Sequence, residues 1–187
     1  MKRNNNSAKV ALGAMLTALS VVLLIPSALE IFVYALPAVA SMLIVFAVIE
    51  MGSRWAVTVY IATSAISLIT VPNKEAVMLY VAFFGYYPIL KAFLESKTKK
   101  LPEYIIKFAV FNITMVGAYL FMIYVFGVPY EKLMGIEGEI GFIAKHMPKI
   151  LLGLGNIVFI VFDKGITNVV SLYLAVWQKK FRRLFKL

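Results

Sequence analysis

Cysteine is absent from this 187-residue chain, which excludes disulfides, thiol catalysis and thiolate metal sites. The single histidine, His146, leaves nothing with which to build a histidine-based metal centre or an acid–base triad, so no metal and no cofactor is expected. No glycine-rich phosphate loop followed by Lys-Ser/Thr occurs, which excludes that mode of ATP binding. No two carboxylates stand at helical spacing inside the apolar segments, and no Ser–His arrangement sits in a small-residue elbow. Catalysis by this chain alone is therefore not expected, and it is not read as an enzyme. Charge is scarce as well, at 15% of residues against 62% hydrophobic. A soluble domain of this size needs far more polar surface, so the chain is read as an integral membrane protein in a lipid bilayer.

The apolar runs set the architecture. About 20 apolar residues at a rise of about 1.5 Å each cross a hydrocarbon core of about 30 Å. Uncharged runs cover residues 10–29, 31–49, 55–73, 76–90 and 108–130, with the fourth extending through Lys91 toward Glu95. The last runs over about residues 148–177, with Lys149 at its start and only Asp163 and Lys164 interrupting it further in. The expected fold is all-α: a single domain, residues 1–187, forming a bundle of six transmembrane helices. The first helix has a basic start, yet its apolar run is too long for a cleaved signal and five more follow.

An even number of crossings puts both termini on one side. The tail before helix 1 carries Lys2, Arg3 and Lys9, and the link after helix 2 carries Arg54. The link after helix 4 carries Lys91, Lys97, Lys99, Lys100 and Lys107, and the C-terminal tail Lys179, Lys180, Arg182, Arg183 and Lys186. Fourteen of the nineteen cations thus share a face, and lysine/arginine bias makes it, with both termini, cytoplasmic. The net charge of +10 reads as topology rather than nucleic-acid binding, since no basic soluble domain exists to carry the latter. The expected location is the plasma membrane of a prokaryote.

Polar and aromatic residues gather on the opposite, outer face. Its first link holds Pro26, Ser27, Glu30, Tyr34 and Pro37, its second Asn73, Lys74 and Glu75. Its third, residues 128–147, carries Tyr130, Glu131, Glu137, Glu139, Lys145 and His146 and is rich in glycine. At about twenty residues that link has the length of a functional loop, able to act as a lid. Tyr80, Phe83 and Phe84 follow on helix 4, Tyr124 and Phe126 close helix 5, and Lys149 and Asn156 open helix 6. Any one tyrosine fits an interfacial belt. The group, backed by the loop, points to a small-molecule pocket using Glu30, Tyr34, Asn73, Lys74, Tyr80, Phe84, Tyr124, His146, Lys149 and Asn156.

Two further features lie at depth. Asp163 falls about 22 Å from the outer end of helix 6. A lone carboxylate there costs several kcal/mol, so it is expected to pair with Lys91 or Lys164 as a clamp between helices rather than as a proton relay. In helix 1, residues 11–20 read ALGAMLTALS. At about 100° per residue, Ser7, Ala11, Ala14 and Ala18 form one narrow stripe and Gly13, Thr17 and Ser20 a second, leaving Leu12, Met15, Leu16 and Leu19 on the rest. Small residues let helices approach closely in lipid, so one stripe is expected to face outward for a partner.

With its length, six helices and cytoplasmic ends, the Ala14-Met-Leu-Thr-Ala18 spacing makes the chain resemble the membrane-embedded S components of energy-coupling factor (ECF) transporters. Phe84-Gly-Tyr-Tyr-Pro-Ile-Leu-Lys91 and a long last helix with a basic tail fit the same style. The resemblance covers the whole chain but is diffuse. It implies capture of a vitamin or similar micronutrient at the outer face, in a pocket of helices 4–6 and their loops. It also implies delivery through a transmembrane coupling subunit and two cytoplasmic ATPase subunits, with Ala14 and Ala18, extended by Ala11, contacting the coupling subunit. The competing expectation is a small inner-membrane scaffold protein of a cell-shape or assembly complex.

Overall fold

The computed structural model describes residues 5–133 and 142–178. Every regular element among them is helical. Six rods carry the chain: α1 (Asn5–Leu24), α2 (Ala35–Met51), α3 (Ser53–Thr70), a fourth built from α4 (Lys74–Leu79) and α5 (Tyr87–Lys97), α6 (Lys100–Tyr124), and α8 (Phe142–Leu172). A single short turn, α7 (Tyr130–Leu133), stands between the last two. Four rods are long and apolar enough to cross a membrane: Asn6–Ala28, Lys74–Lys97, Lys100–Tyr124 and His146–Trp177. The apolar α2 is shorter, at 17 residues.

Local chemistry explains the breaks. After α1, Pro26 sits in a tight 3-10 turn, Ile25–Ala28, in which the Ser27 hydroxyl donates to the Leu24 carbonyl at 2.6 Å. Between α2 and α3 there is one residue, Gly52, at φ +87°, a conformation open to glycine and strained for other residues. Lys74 donates to the Leu68 and Val71 carbonyls at 2.8 and 3.0 Å, covering the end of α3. Asn73 caps α4 by accepting from the Ala76 amide at 3.1 Å, and donates to the Ser27 carbonyl at 2.9 Å, which ties two turns together.

The fourth rod is interrupted because Pro88 has no N–H to offer the Phe84 carbonyl one turn back. The chain widens into a π-turn over Tyr80–Phe84, with the Gly85 amide donating to the Tyr80 carbonyl at 2.7 Å. A side chain on Gly85 would lie 2.7–2.8 Å from the rings of Tyr60 and Tyr80, so this position admits glycine alone without movement.

The fourth rod is the centre of the bundle: 56% of its apolar window is buried, against 22% for the last rod. Phe83 meets Phe84, Tyr87, Phe111 and Phe159 with ring centroids 4.7–5.8 Å apart, and Phe111 stacks on Phe159 at 4.8 Å. A second cluster, Leu12, Leu16, Ile44, Ala47, Met51, Ala56 and Val59, joins α1, α2 and α3. The helix expected to begin near Pro148 begins at Phe142, so the third link is shorter than its expected twenty residues. Residues 134–141, including Glu137 and Glu139, lie outside the described residues.

Candidate functional site

The structure places the residues expected to form an outer pocket in several different settings. Tyr80 is fully buried and Phe84 nearly so, both as core rings of the fourth rod. Asn73 and Lys74 are committed to backbone groups at the α3–α4 turn. Tyr124, 82% exposed, points away from the bundle, and Lys149 is exposed. His146 is half-buried at the start of the last rod, and Glu30 lies in a 3-10 turn, its side chain outside the described residues. Asn156 was expected at the mouth of helix 6. It lies instead fourteen residues on from Phe142, well inside that rod, and forms a reciprocal amide pair with Asn112 of α6, both bonds 2.9 Å. Two amides in an apolar setting satisfy each other more completely than either could alone.

Tyr34 immediately precedes α2. Its hydroxyl donates to Glu75 at 3.1 Å and stands beside Tyr119. Desolvation, with Tyr119 and the Glu75 carboxylate next to it, keeps that phenol protonated well above the ordinary tyrosine range.

The most developed polar assembly is a buried ion network at the other end of α5 and α6. Lys91 reaches Asp163 at 2.5 Å and Glu95 at 2.7 Å. Lys107 reaches Glu103 at 2.6 Å, Glu95 at 3.0 Å and Asp163 at 3.3 Å. The Tyr87 hydroxyl donates to the same Asp163 oxygen at 2.6 Å. Both lysines are at most 3% exposed, whereas the Glu95 side chain is 42% exposed. The pairing of Asp163 falls to Lys91, with Lys164 turned outward. Sequence reasoning placed Lys107 among the topology cations and passed over Tyr87, Glu95 and Glu103. The signal was present in two i,i+4 pairs, Lys91–Glu95 and Glu103–Lys107. Glu50, read only as the end of a span, is buried and accepts from Tyr173 at 3.1 Å.

On α1, Ala11, Ala14 and Ala18 are exposed, while Gly13, Thr17 and Ser20 are buried. The second stripe is the internal seam: a side chain on Gly13 would lie 3.5 Å from Val59 of α3. Beside the exposed stripe, α1, α2 and the last rod enclose an apolar crevice of about 420 Å³. Leu12, Met15, Leu16, Leu19, Phe46 and Trp177 are among its walls, and none of the ten expected pocket residues lines it. No family model, curated protein or solved structure matches the chain.

Proposed function

We propose that the chain is the membrane-embedded solute-binding subunit of an ECF-type importer. In this reading the six rods cross a prokaryotic plasma membrane with both ends in the cytoplasm. A vitamin-like solute is captured from outside and delivered through a transmembrane coupling subunit and two ATPase subunits. The observation that carries the reading is the outward stripe of Ala11, Ala14 and Ala18 on a helix whose Gly13, Thr17 and Ser20 face is packed inward. Leucine at those three positions would be the better match to lipid. A smooth alanine face suits the close approach of another helix. The chain holds no glycine-rich phosphate loop, and in this reading the energy for uptake comes from partners.

The test has two arms. Thermal-shift screening of the detergent-purified protein against B vitamins and their precursors should give a hit. Ala14→Trp and Ala18→Trp should abolish transport while leaving that ligand's affinity intact. Silence across a broad panel argues against the reading, and loss of ligand affinity in the tryptophan variants makes the stripe a packing seam.

One observation favours the alternative of a scaffold protein in a cell-shape or assembly complex. The polar residues of the outer face are largely engaged in capping and pairing rather than gathered around one cavity. A scaffold uses the same alanine stripe and needs no solute site. It predicts silence in the screen together with recovery of assembly proteins on purification.

A further inference from the structure

Several hydroxyl side chains in the helices of this protein are satisfied by the backbone of their own helix. Thr58, Thr70, Thr114, Thr167 and Ser171 donate to the carbonyl four residues back, at 2.7–3.4 Å, as isolated hydroxyls in helices commonly do. Ser20 of α1, Thr63, Ser64 and Ser67 of α3, and Tyr80 of the π-turn do not. All five are buried, four of them completely, and none has a hydrogen-bond partner among the described residues. A buried hydroxyl without a partner costs about 1–3 kcal/mol, so five at one seam call for a physical explanation.

They are close neighbours. The Tyr80 hydroxyl has Thr63, Ser20 and Tyr60 near it, and Ser64 is near the Tyr60 hydroxyl. Tyr60 is itself satisfied, donating to the Val81 carbonyl at 2.8 Å. Ser67 stands one turn along α3 from Thr63. The seam therefore joins α1, α3 and the π-turn about two helical turns from the point where Asn73 holds Ser27. The Tyr80 hydroxyl stands beside those of Thr63 and Ser20 without direct hydrogen-bond geometry, the arrangement that a bridging molecule completes.

The seam also states what kind of molecule. Among the described residues no ionised side chain acts on Tyr80 or Tyr60, in contrast to Tyr87, which faces Asp163, Glu95 and Glu103. A cation would enter an apolar interior with no counter-charge, which is costly. Four of the five groups have no solvent exposure, and the rings of Tyr60 and Tyr80 close on Gly85, so entry favours the smallest polar molecule. We propose that Ser20, Thr63, Ser67 and Tyr80 form a buried hydration site whose water molecules bridge α1 to α3 and to the π-turn of the fourth rod. Each water offers two donors and two acceptors, which suits hydroxyls that both donate and accept. One face of α1 is then held through exchangeable water while its opposite side carries the exposed alanine stripe.

Radiolytic footprinting of the unmodified, detergent-purified protein in ¹⁸O-water tests the proposal without a variant. Bound water generates hydroxyl radicals in place, so Tyr80 should be oxidised with ¹⁸O incorporation while Phe83, equally buried, stays protected. Tyr80 protected as fully as Phe83 overturns the proposal. Thermal unfolding of Tyr80→Phe, Thr63→Val and the double variant gives a second reading. With bridging water each single change lowers Tm, and the double lowers it by less than the sum. Neutral, additive changes overturn the proposal. A Tm increase specific to sodium or lithium over potassium and choline, lost in Thr63→Val, overturns it in favour of a cation site.

Discussion

The ion network around Asp163 allows a ranked prediction. With every group charged, three carboxylates (Glu95, Glu103, Asp163) meet two ammonium groups (Lys91, Lys107), leaving one negative charge in excess. Removing a lysine raises the excess to two, whereas Asp163→Asn brings it to zero. Breaking a buried pair by removing one partner costs about 3–5 kcal/mol, because the other charge is stranded. Lys107→Met belongs at the top of that range, at about 5 kcal/mol. It strips Glu103, 9% exposed, of its lysine and also weakens Glu95 and Asp163. Lys91→Met belongs at the bottom, at about 3 kcal/mol, since Lys107 and Tyr87 still face Asp163. Asp163→Asn loses charge-assisted bonds from Lys91 and Tyr87 but leaves a balanced quartet, so about 1.5–3 kcal/mol is expected.

For a chain of this length, about 2–4 °C of Tm per kcal/mol separates these outcomes. Differential scanning fluorimetry in one detergent reads them, with Lys91→Met/Asp163→Asn expected to fall well short of the sum of its singles. The reasoning is refuted if Asp163→Asn is the most damaging of the three, or if the double variant is additive. A fully folded Asp163→Asn protein that has lost transport restores the proton-relay reading in place of the clamp.

Three further outcomes follow from local geometry. Gly85→Ala puts a methyl group against the rings of Tyr60 and Tyr80 and should cost about 1–3 kcal/mol in thermal unfolding; a neutral result means the π-turn yields freely. Asn112→Leu and Asn156→Leu should each destabilise by about 1 kcal/mol, at roughly 0.6 kcal/mol per intramembrane bond, and the double variant should recover part of the loss; additive losses refute the reciprocal pairing. Asn73→Ala removes the cap on α4 and the tie to Ser27, with an expected cost of about 0.5–2 kcal/mol and faster amide exchange confined to residues 25–29 and 74–77; protection unchanged there argues that Lys74 alone holds the turn.

Helix existence was legible because apolar run length is a one-dimensional property: the runs at 10–29, 76–90, 108–130 and 148–177 each fall within or overlap one of the four membrane-length rods. Charge alone delimited α2 and α3, since Gly52 turns the chain in a single residue that no run length reveals. The small residues of helix 1 were legible as two stripes because helical periodicity fixes relative direction. Exposure of one and burial of the other depend on what packs against α1, which only the fold supplies.

The pocket residues were the least legible. Asn73 and Lys74 stand in the turn between the third and fourth rods, yet a backbone carbonyl satisfies an ammonium as well as a ligand does. Asn156 shows a second limit. Counting from the end of an apolar run misplaced it, because the last rod starts at Phe142 and a mid-rod amide is neutral enough to hide. Lys107 shows a third: a cation at the edge of a run reads as topology until its i,i+4 carboxylate and its burial are considered together.

The most direct test of the transport reading is affinity purification of the full-length tagged chain from its native membranes, with quantitative mass spectrometry. The account predicts recovery of a transmembrane coupling subunit and two ATPase subunits in fixed proportion, lost in Ala14→Trp and Ala18→Trp proteins that keep the wild-type Tm. Wild-type protein that purifies without any ATPase, or with cell-shape proteins instead, contradicts it.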